Sequence, residues 1–374
     1  MSNARDIFFR LQQQLPQSYS RKYKNILQKA FDGGKFDEVI KLLSKDGYGK
    51  VAYGAVLQQM SRQHGTETKL RNIEAMFESM CQANIAPSKA NFHSLMHAAA
   101  RVGNCKRAEY WLGRMQEHNF KADTVSYGNL ISAYSRAKDP YTAHKYLNLI
   151  TQGMVQSEIH QSESTGKGYA AKGHTRADLQ SYTSVISSYS KIGNPEMAAV
   201  LLDQAERNNL RPDVVTFSAV LDGFGQVGNS DGVVFWFNRM VSNNITPNVF
   251  SFAAVVQAFA RKGDCESAQL WLDKARTDGV MPDLVMFNSL LFAHARAGNT
   301  AASVDVLKQM HDSGVTANLL SYSTILAGCA TLGNALEAAK WFTYLTQTKG
   351  LQPDLACYRS MLTALQFSAT SSID

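Results

Sequence analysis

Val214-Val215-Thr216-Phe217-Ser218-Ala219-Val220-Leu221-Asp222-Gly223-Phe224 reads as one amphipathic helix, because Phe217, Val220, Leu221 and Phe224 recur at i, i+3, i+4 and i+7. Gly228 then supplies the residue that a left-handed helix end favours, and Asn229 is a good N-cap for a second helix. That second apolar run extends from Val233 to Met240, and Ile245-Thr246-Pro247-Asn248 closes the unit with a residue that cannot continue a helix. Val214 to Asn248 is therefore one helical hairpin, and the rest of the chain repeats it.

The aromatic anchors Phe92, Tyr127, Tyr182, Phe217, Phe252, Phe287, Tyr322 and Tyr358 are separated by 35, 55, 35, 35, 35, 35 and 36 residues. A fixed period of this size predicts an all-α fold, an α-solenoid of helix-turn-helix hairpins with about 35 residues per repeat. Position 1 falls at Lys89, Thr124, Leu179, Val214, Val249, Leu284 and Leu319, and all four tryptophans (Trp111, Trp236, Trp271 and Trp341) then fall at position 23. Glycine occupies position 15 in six of seven units: Gly103, Gly193, Gly228, Gly263, Gly298 and Gly333. Pro87, Pro212, Pro247, Pro282 and Pro353 are penultimate in their units. Pro140 and Pro195 stand at position 17, the first turn of a second helix, where the missing N–H costs nothing. Position 12 carries only Ala, Ser or Gly (Ala100, Ser135, Ser190, Gly225, Ala260, Ala295, Ala330), which predicts close approach of neighbouring helices there.

The 374 residues carry a formal net charge of +7 and a pI near 9.0, a basic balance that favours a polyanionic partner. Five cysteines without a CxxC pair point to a reducing compartment, and Cys105 and Cys265, both at position 17, read as small packing residues. No run of about 18 apolar residues exists to span a membrane.

Residues 1–19 read as a capping helix or a targeting remnant. Met1 to Lys24 holds five basic residues against Asp6, the balance of a transit peptide, but it is not rich in serine, and Ile7, Phe8 and Leu11 fit a capping helix. Residues 20–88 contain two degenerate units, with Tyr23 and Tyr53 as their anchors. Seven regular units fill 89–354. The second of them carries an insert of about twenty residues, roughly 155–177, rich in Ser, Gln, Gly and Lys, the composition of a mobile surface loop. Its Ser164-Thr165-Gly166-Lys167-Gly168 lacks the glycine spacing and preceding strand of a phosphate loop. A half unit and a polar tail occupy 355–374.

At 100° per residue, positions 4, 7, 8 and 11 of each first helix form the buried stripe, and positions 2, 5, 9 and 13 fall within about 80° of one another on the opposite side. Position 13 is Arg101, Arg136, Lys191, Gln226, Arg261, Arg296 and Thr331. Position 5 is His93, Gly128, Thr183, Ser218, Ala253, Asn288 and Ser323. Position 2 is mostly apolar: Ala90, Val125, Gln180, Val215, Phe250, Val285 and Leu320. The last residue of every unit is Asp or Asn: Asp123, Asp178, Asp213, Asn248, Asp283, Asn318 and Asp354. Cations, apolar platforms and varied hydrogen-bonding groups, repeated once per unit, suit a flexible polyanion with one flat base per repeat. The competing reading is a solvated face on which Asp and Asn merely end a hairpin.

On these residues the chain resembles the pentatricopeptide repeat family, over about 266 residues in seven units. The resemblance implies a right-handed superhelix that binds single-stranded RNA, in mitochondria or plastids, with no cofactor. It implies that positions 5 and last read one base along its Watson–Crick edge, that position 2 packs on the base, and that a basic position 13 meets phosphate. Carried over, Val125, Val215, Phe250, Val285 and Leu320 pack on bases, and Arg101, Arg136, Lys191, Arg261 and Arg296 meet phosphate. Thr183 with Asp213 implies G, Ser218 with Asn248 A, Asn288 with Asn318 a pyrimidine, and Ser323 with Asp354 G. His93 with Asp123, Gly128 with Asp178 and Ala253 with Asp283 depart from the family's usual pairs and leave their bases open. The expected core target is G-A-x-Y-G, and the insert is expected to be able to displace Asp178.

His93 and His97 have a spacing that can ligate a metal, but no third ligand is evident and no metal site is expected. The nuclease or deaminase domain of RNA-cleaving or RNA-editing relatives would not fit in the residues after the last unit, so no enzymatic activity is expected of these repeats. The alternative function is a protein scaffold or a subunit of an organellar ribosome or ribonucleoprotein, with other RNA-processing proteins as partners.

Overall fold

The computed structural model describes residues 40, 49–62, 65–151, 177–299, 301–348 and 350–370. The expected N-terminal cap, the first degenerate unit but for residues 40 and 49, and the insert up to residue 176 lie outside them. Among the described residues there are seventeen α-helices and no strand. They come as hairpins: α1 (Gly49–Arg62) and α2 (Glu67–Gln82); α3 (Lys89–Val102) and α4 (Cys105–Glu117); α5 (Thr124–Arg136) and α6 (Pro140–Thr151); α7 (Leu179–Lys191) and α8 (Pro195–Arg207). The order continues with α9 (Val214–Val227) and α10 (Ser230–Ser242), α11 (Val249–Lys262) and α12 (Cys265–Thr277), α13 (Leu284–Arg296) and α14 (Ala302–Asp312), α15 (Leu319–Thr331) and α16 (Ala335–Thr343), and finally α17 (Leu355–Thr370). A five-residue π-helix, Tyr344–Thr348, extends α16.

The chain divides into two compact units, one ending at Ser188 and one starting at Tyr189. In the first unit α1 packs on α3 and α3 on α5; in the second, α9, α11, α13, α15 and α17 pack each on the next. Second helices wedge between their own first helix and the following one, as α10 does between α9 and α11 and α12 between α11 and α13. This is an α-solenoid: no element buries its apolar face alone, and each repeat supplies the cover for its neighbour.

Two left-handed residues per repeat make the reversals. Gly228 (φ 76°) ends α9, its N–H donating to the Gly225 carbonyl, while the Asn229 N–H donates back to Phe224. Asn229 then accepts the Gly232 N–H at 2.8 Å and starts α10. Asn244 (φ 57°) makes the second reversal at the end of α10, a place taken by Gly279 and Gly314 in later repeats. The one regular unit without glycine at position 15 has Lys138 there, forced to φ 62°.

The anchors Phe92, Phe217, Phe252 and Phe287 are fully buried, and the aromatic residues of the second helices meet them edge-on: Phe237 lies 5.0 Å from both Phe252 and Trp271. Small residues let the first helices approach. A methyl group on Gly225 would stand 2.6 Å from the Ala254 carbonyl oxygen. Position 12 is small for that reason.

Candidate functional site

The last residue of each repeat begins the next first helix. Ser126 N–H donates to Asp123 Oδ1 (3.0 Å), Ser181 to Asp178 (2.9 Å), Thr216 to Asp213 (2.9 Å), Ser251 to Asn248 (3.1 Å), Met286 to Asp283 (3.0 Å), Ser321 to Asn318 (3.1 Å) and Cys357 to Asp354 (3.0 Å). Capping uses only Oδ1 in each head, so ending a hairpin and presenting a polar group are compatible in one residue. Asp178 caps α7 as its counterparts cap theirs.

Position 5 comes to that same head in several repeats. His93 Nε2 lies 3.1 Å from Asp123 Oδ1, and Lys89 Nζ holds Asp123 Oδ2 at 2.7 Å. Ser218 Oγ reaches Asn248 Oδ1 at 3.5 Å and Ser251 Oγ at 3.1 Å. Asn288 Oδ1 accepts from Ser321 Oγ at 2.7 Å, beside Asn318. Thr183 donates to the Leu179 carbonyl, and Ser323 to the Leu320 carbonyl. Ala253 is buried and offers no polar group. Burial pushes the Asp123 carboxyl up, but Lys89, the Ser126 N–H and His93 together outweigh it and hold it below the usual carboxylate range. Burial lowers the His93 imidazole in spite of Asp123.

Position 2 stands out in the open. Val125, Val215, Phe250, Val285 and Leu320 are between 53% and 68% exposed, although each sits two residues from an anchor that is half-buried (Tyr127) or buried (Phe217, Phe252, Phe287 and Tyr322). Five of the seven regular repeats thus hold a large apolar side chain in the open at position 2. At position 13, Arg136, Lys191, Arg261 and Arg296 are exposed and Arg101 is half-buried. Arg296 is ordered by its neighbours: Nη1 donates to the Arg261 carbonyl at 2.9 Å and the guanidinium lies 5.8 Å from the Phe292 ring centroid.

Models of the pentatricopeptide repeat domain match residues 75–137 and 270–331, models of the pentatricopeptide repeat family match 177–226 and 212–261, and a single-repeat model matches 125–152, together more than half of the chain. The chain belongs to the pentatricopeptide repeat family. Among solved structures it is similar to pentatricopeptide repeat protein PPR10 in complex with an 18-nt psaJ RNA element, at 17% identity and a TM-score of 0.71, covering 88% of this chain and 44% of that one. PPR10 from maize matches at 19% identity and a TM-score of 0.51, over 94% of this chain and 52% of that one. The chain thus spans about half the length of these structures. No curated protein matches the sequence.

In this pentatricopeptide repeat chain, the first unit holds a cavity of about 460 Å³ where Gly128 lacks a side chain. Val125 and Gln180, the position-2 residues of consecutive repeats, line it together with Asp178, His97, Arg101 and Arg136. Arg101 Nε is buried there without a hydrogen-bond partner among the described residues. His97 lies 3.1 Å from the Ser61 carbonyl through Nδ1, while His93 Nε2 faces Asp123, so the two histidines engage different partners. In the second unit, position 9 of the fourth repeat is Asp222, whose carboxyl burial pushes up while the Gln226 amide (2.7 Å) and Lys191 pull it down. Gln226, which breaks the basic row, is the hydrogen-bond donor to this acid.

Sequence reasoning missed position 3. Ser126, Ser251 and Ser321 are fully buried, and their hydroxyls touch position 5 of the preceding repeat. The available signal was a hydroxyl residue at five of seven position-3 sites on a face otherwise built from apolar side chains.

Proposed function

We propose that the chain binds single-stranded RNA along the exposed faces of its first helices, one base per repeat, and acts in organellar RNA metabolism by occupying its target. The exposed platforms carry this reading: Val215, Phe250, Val285 and Leu320 in the second unit each stand beside a reading pair and within one helix of position 13. A flat base fits on such a platform, an Asp or Asn head meets its edge, and a guanidinium meets the phosphate. Membership of the family and the fold shared with an RNA-bound PPR10 support the reading. The base-reading residues are those of positions 5 and last, and the core target is G-A-x-Y-G, read from Thr183 to Asp354. The platform residues are Val125, Val215, Phe250, Val285 and Leu320, and the phosphate contacts are Arg101, Arg136, Lys191, Arg261 and Arg296. Occupancy then protects, remodels or marks a transcript for processing, translation or editing by other proteins.

Binding of a labelled RNA containing G-A-x-Y-G, followed across salt concentrations, tests this. Tight binding that weakens with salt, by a log–log slope of roughly 0.7 per phosphate contacted, and is lost on scrambling the core supports it. Equal affinity for core and scrambled RNAs overturns the assignment. Imaging the tagged protein in cells against mitochondrial and plastid markers tests the compartment.

A further inference from the structure

Ser321 opens no base contact of its own, yet it sits behind the sixth reading pair. Its side chain is fully buried, and Oγ lies 2.7 Å from Asn288 Oδ1 and 3.1 Å from Asn318 Oδ1. The same oxygen accepts the Asn318 backbone N–H at 3.1 Å. A hydroxyl has one proton to give. Of the two acceptors, Asn288 Oδ1 at 2.7 Å has the distance of a well-made O–H···O bond and Asn318 Oδ1 at 3.1 Å does not, so the proton goes to Asn288, while Asn318 Oδ1 keeps the Ser321 backbone N–H at 3.1 Å. Both amide oxygens are therefore held by Ser321, which leaves both amide –NH2 groups without a hydrogen-bond partner among the described residues.

Resting on the RNA-binding reading, we propose that Ser321 is a positioning residue that sets the hydrogen-bonding polarity of the sixth repeat, fixing two donors toward the base and so selecting cytosine over uracil. Cytosine carries two adjacent acceptors, O2 and N3, on its Watson–Crick edge, whereas uracil places an N3–H donor between its two carbonyls. Two oxygens held by Ser321 match the first pattern. An Asn288 amide free to turn over would offer Oδ1 to the uracil N3–H and accept both bases.

Two other repeats repeat the arrangement: Ser126 Oγ stands 3.1 Å from His93 Nε2, and Ser251 Oγ 3.1 Å from Ser218 Oγ. The fifth repeat omits it. There the reader is Ala253 and the third residue of the next repeat is Met286, yet Asp283 still caps α13 through the Met286 N–H. The hydroxyl is thus dispensable for the cap.

The test is Ser321→Ala, with affinities measured for RNAs carrying C or U at the nucleotide facing the sixth repeat. Wild type should favour C by roughly tenfold, the equivalent of one well-made hydrogen bond, and the alanine variant should bring the ratio to within about twofold. Ser321→Thr, which places here the residue found at Thr216, should restore the wild-type ratio, and substitutions facing other repeats should act alike in all three proteins. A C-to-U ratio unchanged in the alanine variant, or absent in a wild type that still discriminates core from scrambled RNA, overturns the inference. Failure of wild type to tell core from scrambled RNA overturns the RNA reading itself.

Discussion

The fifth and sixth regular repeats stand side by side in the second unit and share a backbone almost residue for residue. Both begin at an Asp or Asn cap, bury Phe252 or Phe287, and reverse at Gly263 or Gly298 in the left-handed region. Their reading places differ completely. The sixth has Asn288, Asn318 and the Ser321 hydroxyl in one hydrogen-bonded set; the fifth has Ala253 and Met286, both buried and apolar, with only Asp283 as a polar head. Position 5 therefore varies freely on a fixed lattice, while the last residue both caps the next helix and presents a polar group. A repeat loses its polar side chain at position 5 without losing its fold.

The largest effect expected from breaking this arrangement is on binding. Reversing Arg261→Glu and Arg296→Glu together should lower RNA affinity by at least about a hundredfold and flatten the salt slope by roughly 1.4, two single-strand phosphates, while leaving the helical circular dichroism unchanged. Fluorescence anisotropy over a salt series reads both numbers, and unchanged affinity would detach position 13 from the ligand. On the folding side, Gly225→Ala pushes a methyl to within 2.6 Å of the Ala254 carbonyl oxygen, so α9 and α11 must separate. A loss of about 1–3 kcal/mol in chemical denaturation is expected. Phe250→Ala sharpens the comparison within the fifth repeat: an exposed platform should contribute about 1–3 kcal/mol to RNA binding and under about 0.5 kcal/mol to stability. The opposite split would make Phe250 a packing residue.

Acidification should destabilise the chain. His93, His97, His144 and His294 all have imidazoles held below the ordinary value of 6.5, burial being the largest cause in each. The folded chain thus binds fewer protons than the unfolded one around and below pH 6.5, so stability falls as pH drops through that window, and the thermal midpoint should be lower at pH 5.5 than at pH 7.5. The smallest effect is a gain. Lys138→Gly relieves a left-handed side-chain residue and should stabilise the first unit by roughly 0.5–1 kcal/mol.

The repeat lattice was legible in the chain because it depends on local chemistry: glycine where φ is positive, Asp or Asn before a helix, proline at a first turn. The spacing of Phe217, Phe252 and Phe287 carries the core for the same reason. Position 3 was not legible in this way. Ser321 lies 33 residues from Asn288, and although hydroxyls recur at position 3, their period does not say that this one stands 2.7 Å from Asn288 across two helices. Lys138 shows the converse: the backbone reversal is imposed by its repeat even where the residue disfavours it. The cavity beside Gly128 is likewise a product of packing, since the glycine only leaves the space that Val125, Gln180, Arg101 and Arg136 enclose.

The comparison of neighbouring repeats converges on one measurement: the affinity of the purified chain for a set of G-A-x-Y-G RNAs in which each core nucleotide is changed singly. The account predicts that changes at x, facing Ala253 and Asp283, shift affinity within about threefold, whereas a purine at Y, facing Asn288 and Asn318, weakens binding by roughly tenfold or more. Equal sensitivity at the two positions, or none at either, would contradict it.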